Sequence, residues 1–144
     1  MIKKIIDKFF LVKEIRSQTG ELHFLRYRLF ESAWFRIYIH KICKSDEDKH
    51  MHSHPWDFLS FILSGSYSQS CWEDAKTFGT TRFDQFDSVE LKKRNYHQIR
   101  LNTPHVWTLV FAWGKYEPWG YLVDGGFVGH KLYRALKSEG KLPK

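Results

Sequence analysis

The chain has 144 residues, 42% of them hydrophobic and 17% aromatic, which is one domain's length with apolar side chain enough for one core; a two-domain enzyme and a disordered chain are both excluded on these grounds. Its net charge of +7 is spread thinly, with 11 basic and 7 acidic residues in positions 1–50, 6 and 6 in 51–100, and 6 and 3 in 101–144. The excess sits towards the ends and Lys92-Lys93-Arg94 is the one tight basic triplet, so a nucleic-acid partner is not expected.

In chain order, Ile2, Ile5, Ile6 and Phe9 recur at helical spacing opposite Lys3, Lys4, Asp7 and Lys8. This predicts one amphipathic helix over residues 1–16, packed on a sheet. A membrane-surface helix would show a similar stripe but usually carries more positive charge. Asp7, Lys8, Lys13, Glu14 and Arg16 interrupt any signal-peptide core, and the apolar runs fall far short of the roughly 20 residues of a membrane span. A cytoplasmic protein with no membrane partner is expected.

After a turn at Thr19-Gly20, aromatic and β-branched runs predict strands over 22–30, 34–43, 58–63, 67–72, 88–91, 98–101 and 105–113, and then a helix over 131–138. In the last of those strands His105, Trp107, Leu109, Phe111 and Trp113 share a face, which is expected to pack. Cys43 and Cys71 form no metal spacing and read as buried reduced thiols. His130, in a Gly-rich stretch, is expected at the surface. No repeat, low-complexity tract or linker divides the chain. The expectation is a single all-β domain over 1–144, with a helix and turn over 1–20 and a sandwich or barrel after it.

Three of the eight histidines stand at His50, His52 and His54, immediately before Pro55. Residues two apart in an extended strand face the same way, so neighbouring imidazoles of this run can grip one ion. His97, near the start of a later strand, is the candidate third ligand, and the chemistry is that of a first-row divalent metal.

These residues carry a family resemblance. The stretch from His52-Ser-His54-Pro to Gly65-Ser-Tyr67 resembles the first cupin motif, and His97 with Asn102 resembles the second. Ile37-Tyr38-Ile39-His40, Ser45-Asp46-Glu47-Asp48, His52-Ser-His54-Pro-Trp56, the segment from Trp107 to Val110 and Trp119-Gly120 are similar to a group of small cupin-like proteins of bacteria and phages. The resemblance covers roughly residues 22–134 and implies a double-stranded β-helix, a jelly-roll barrel that holds a metal inside. It implies His52, His54 and His97 as ligands, with His50 outside the cupin spacing. Two departures matter. Phe58 stands where many cupins carry a Glu or Gln ligand, which leaves Asp57 as a candidate fourth ligand only if the strand slips or bulges. Lys92-Lys93-Arg94 replaces the usual Pro-x-Gly turn, and Asn102 stands one position late.

A three-histidine site resembles that of the thiol dioxygenases of the superfamily, which implies a metal-dependent oxygenase acting on a small molecule. Iron is favoured, with zinc, nickel or manganese as alternatives. A second class is metal-free sugar-nucleotide isomerase or epimerase chemistry, with His52 or His40 as base, Tyr38 or Tyr67 as partner, and Arg28, Arg36 or Arg100 for the diphosphate. A third is a small-molecule-binding module without catalysis. His40, Tyr38 and Asp57 are the candidate catalytic residues, and a homodimer paired through strand edges is a reasonable assembly.

Overall fold

Short β-rich runs punctuated by Gly, Pro and Asp favour hairpins over helices, and the chain is built from them. The computed structural model describes residues 1–73 and 77–143. Among these residues the order is α1 (Ile2–Phe10), β1 (Leu11–Arg16), β2 (Leu22–Glu31), β3 (Phe35–Ile42), β4 (Asp57–Ser64), β5 (Tyr67–Glu73), β6 (Thr77–Phe83), β7 (Ser88–Leu91), β8 (Tyr96–Leu101), β9 (Val106–Trp113), β10 (Gly120–Val123), β11 (Gly126–Gly129) and α2 (His130–Ser138). The strands pair antiparallel throughout, in the order β1-β2-β3-β9-β4-β7 for the larger sheet and β6-β5-β8 for a smaller one, with β10-β11 as a hairpin.

One residue joins the hairpin to the smaller sheet. His52 bridges antiparallel to His97 of β8 on one side and to Tyr121 of β10 on the other. His52 N–H donates to His97 O at 3.0 Å and His97 N–H to His52 O at 2.9 Å, while the flanking residues bond to β10 through Leu122 N–H to Met51 O at 2.9 Å and Ser53 N–H to Gly120 O at 2.8 Å. The two sheets form a jelly roll, and Ile62, Tyr67, Val89, Leu91 and Val106 fill its core. Helix α2 closes the hairpin end, where Tyr133 packs on Tyr121 and Val123.

The expected helix over 1–16 is corrected. It stops at Phe10, and Leu11–Arg16 pairs with β2 across the turn at Gly20, whose φ is +85°. Ladder hydrogen bonds to β2, together with β-branched Val12 and Ile15, override the helical period. Nor does α1 bury its stripe: it has no buried residue, and Ile2 and Phe9 remain largely exposed.

Strand β9 is also reversed from expectation. Val106, Thr108, Val110 and Ala112 face the core, whereas Trp107, Leu109, Phe111 and Trp113 are half-buried on the outer face and His105 is exposed outside the strand. Small side chains suit a central strand whose inner face must admit bulky residues from the opposite sheet. Strands β6, β10 and β11 are additions to the predicted set. The β10–β11 turn, Asp124-Gly125, has φ of 49° and 77°, the positive pair that a two-residue hairpin needs. Cys43 and Cys71 form no disulfide and are half-buried rather than buried.

Gly120 is the tightest point of this framework. A Cβ there would lie 2.1 Å from Val128 O and 2.8 Å from Gly129 Cα, both backbone atoms of the paired strand. Gly120→Ala is expected to destabilise the protein by about 2 kcal/mol or more. Gly79→Ala, whose added methyl meets nothing within 4 Å, should change the unfolding free energy read from urea denaturation by about 0.5 kcal/mol or less.

Candidate metal centre

The backbone bridge between His52 and His97 faces their side chains together, and His54, two residues on, comes to the same side. The candidate ligand nitrogens of His52, His54 and His97 all lie within 4.8 Å of one another. His54 Nε2 and His97 Nε2 are 2.6 Å apart, and the His52 ring centroid lies 4.7 Å from that of His97 and 5.0 Å from that of His54. Such a cluster could hold one divalent cation.

Neighbouring groups orient two of the rings. Gln69, buried in β5, accepts from His97 Nδ1 through its amide oxygen at 2.9 Å; the proton is thereby placed on Nδ1 and the Nε2 lone pair is aimed at the cluster. The Phe58 ring lies edge-on to His54 at 4.9 Å, so the residue at the usual carboxylate position serves as a wall. Asp46 Oδ2 lies 4.0 Å from His52 Nδ1 and accepts the Ile99 N–H at 2.7 Å. The same acidic stretch is stitched along β8: Ser45 Oγ accepts Leu101 N–H at 2.8 Å, and Gln98 Nε2 donates to Asp48 O. Asp48 Oδ2 accepts the Tyr121 hydroxyl at 3.0 Å. The stretch is a strap held to β8 and to Tyr121 of β10.

Burial, and then the neighbouring imidazoles, hold His54 and His97 well below the usual histidine range. Both are neutral at neutral pH, the form in which imidazole is a ligand. Burial raises the Asp46 carboxyl, with the charge of His52 opposing that shift.

Other candidate residues are placed elsewhere. Asp57 Oδ1 accepts the Lys93 N–H at 2.7 Å and braces the β7–β8 turn; it is not among the clustered donors. His50 Nδ1 is 3.0 Å from the Tyr133 hydroxyl, on the α2 side. His130 is half-buried and stacks on Trp119 at 4.3 Å, contrary to its expected exposure. Tyr38 and His40 do face the interior, with ring centroids 5.8 Å apart, but Arg26 Nε donates to His40 Nε2 at 2.9 Å, so that lone pair is already engaged. Tyr67 belongs to the apolar core, where burial raises its hydroxyl pKa. Arg28 and Arg100 are exposed; Arg36 is 7% exposed. The basic triplet makes local contacts, Lys92 to Glu90 and Lys93 to Glu117.

Gln69 and Arg26 are the site residues that sequence reasoning passed over. Gln69 shares the inward phase of β5 with Tyr67 and Cys71, so a polar residue in the buried register was the available signal. Arg26 carried no such signal, because its partner His40 is set by the β2–β3 register.

No protein-family model matches the sequence, and no curated protein matches it. Similarity to solved structures is extensive. The Fe(II) form of HppE, hydroxypropylphosphonic acid epoxidase from S. wedmorenis, with an alternative substrate aligns with a TM-score of 0.58 at 10% identity, over 75% of this chain and 57% of that one. A cupin superfamily protein from Desulfitobacterium hafniense aligns at 0.51 with 14% identity, over 71% and 83%. The cupin domain of Cnp3 from Schizosaccharomyces pombe aligns at 0.53 with 15% identity, over 64% and 61%. The chain thus spans little more than half the length of the epoxidase. Sequence motifs, sheet topology and these likenesses agree, and the chain has the fold of the cupin superfamily.

Proposed function

We propose that the protein is a metal-dependent cupin enzyme in which His52, His54 and His97 hold one divalent ion, iron in the first instance, and that it performs oxygenase-type chemistry on a small molecule. The observation that carries this reading is the convergence of three imidazoles from two chain segments, one of them fixed in tautomer by Gln69. The likeness to an Fe(II) epoxidase supports the choice of iron. The donor set fits a first-row divalent metal, because three nitrogen ligands satisfy its affinity and leave positions open for substrate.

When bound, such an ion supplies Lewis-acid and redox capacity. The chain's own residues would supply the rest. Gln69 holds the His97 ring in its ligand orientation, Phe58 limits the motion of His54, and Tyr38 and the core aromatics restrict water in the interior. The competing metal-free isomerase reading has His52 or His40 as base; the Arg26 hydrogen bond to His40 Nε2 argues against His40 in that role.

Protein purified without a tag or chelator should carry about one equivalent of divalent metal per chain, read by elemental analysis. His52→Ala, His54→Ala and His97→Ala should each abolish stoichiometric binding, while His50→Ala and His105→Ala retain it. Full metal content in any of the first three would overturn the ligand assignment. Gln69→Leu is expected to weaken metal affinity about 10- to 100-fold without unfolding the chain, measured by competition with a chromogenic chelator.

Acid should destabilise the metal-free protein. His40, His54 and His97 have folded pKa values depressed below 6.5, so below that pH the unfolded chain binds more protons than the folded one. Stability from these groups is complete above pH 6.5 and is lost as pH falls from there through the folded values. The urea midpoint of the metal-free protein should therefore drop between pH 7.5 and pH 5.5, and added divalent metal should resist that drop at the upper end of the window.

A further inference from the structure

Arg36 is a buried cation with almost nothing to bind. It projects inward from β3, and its Nη2 donates to Ala33 O at a long 3.3 Å. Nε and Nη1 are buried and have no hydrogen-bond partner, and the same is true of Trp56 Nε1. The two groups touch: the Arg36 guanidinium carbon lies 4.1 Å from the Trp56 ring centroid. Stacking on an indole stabilises a guanidinium but leaves its N–H donors unused. Among the described residues no ion pair reaches Arg36. Two carboxylates of the adjoining segments are engaged by Lys93, Asp57 through the backbone N–H and Glu117 through Nζ at 2.7 Å. Arginine stays charged at any accessible pH, so burial without an anion is costly unless one arrives.

The location ties this group to the candidate metal centre. In the larger sheet Arg36 pairs with Ala112, and Ala112 pairs with Phe58, so all three side chains share the inward face. Phe58 is the residue against the His54 ring. Two strand spacings, about 10 Å between Cα atoms, therefore separate Arg36 from the wall of the histidine cluster, with Ala112 the smallest inward side chain of β9 between them. Arg26, a second guanidinium without an ion pair among the described residues, lies 4.7 Å from the Tyr38 ring on the same inward face. Three neutral ligands, a divalent ion and two arginines would leave this interior strongly positive.

We propose that Arg36 and Trp56 form the recognition site for the oxyanion head group, carboxylate or phospho, of a small-molecule substrate whose other end meets the metal. This deepens the metal-enzyme reading and rests on it for the reacting end, whereas anion binding itself requires no metal. The test accordingly uses the metal-free full chain. The Trp56 indole N–H resonance, assigned by its loss in Trp56→Phe, is followed while inorganic phosphate and acetate are added in separate titrations at constant ionic strength set with sodium chloride. A saturable shift is expected with one or both anions, phosphate alone marking a phospho head group and acetate alone a carboxylate. Calorimetry should show Arg36→Lys binding the same anion about tenfold more weakly or worse, because a point charge replaces the fork, with metal stoichiometry unchanged. Trp56→Phe, which keeps the stack and removes one donor, should weaken binding severalfold. No saturable shift with either anion in the folded protein, or wild-type affinity in Arg36→Lys, overturns the proposal. Loss of metal binding with anion binding intact would overturn only the metal-enzyme reading.

Discussion

The segment around His52 is hydrogen-bonded on both edges, to β8 through His97 and to β10 through Gly120 and Leu122. Without it the β10–β11 hairpin, and the α2 helix packed on that hairpin, would have no sheet to join. The same backbone exchange that completes the sheet puts the His52 and His97 side chains next to each other, so architecture and site are one constraint. Positions 51–53 pair their polar backbone groups on two sides, which makes the register costly to change. A one-residue slip would turn His52 and His54 away from His97 and at the same time break both bridges.

Around this splice the polar residues divide by role. Asp46 and Asp48 hold the entry strap to β8 and to Tyr121, and Lys137 of α2 closes on Asp48, so the C-terminal helix, the strap and the hairpin brace one another. Among the described residues no carboxylate joins the histidine cluster. Burial keeps His54 and His97 neutral, and the nearby interior adds Arg26 and Arg36 rather than acidic groups. An interior of this sign disfavours a cationic ligand and favours one that brings negative charge with it. The acidic residues that could have neutralised the arginines are turned outward to lysines on the turn and loop.

Much of the fold was legible because hairpin chemistry is local. The strands from β2 to β5 and β7 to β9 follow from alternation and turn residues, and their ends shift by only a residue or two. Where local signals competed they misled: the helical stripe of Ile2, Ile5, Ile6 and Phe9 ran into a segment that β2 claimed as a partner, and the large residues of β9 turned to the outer face because a central strand between two sheets has room for small ones. The Asp124-Gly125 hairpin had its own signature in the sequence, a Gly-containing pair with positive φ between short apolar runs.

For the site, the sequence by itself determined the donor types and their spacing: His52 and His54 two apart before a strand, and a later His97. Their meeting depends on a β-bridge across 45 residues of chain, which no local pattern encodes. Tertiary structure alone decided that Gln69 fixes the His97 tautomer, that Asp57 is engaged by the Lys93 turn, and that Arg36 is buried beside Trp56 with Nε and Nη1 unpartnered. The reason is physical. Residue identity sets which bonds a side chain can make, whereas burial and strand register set which of them it must make.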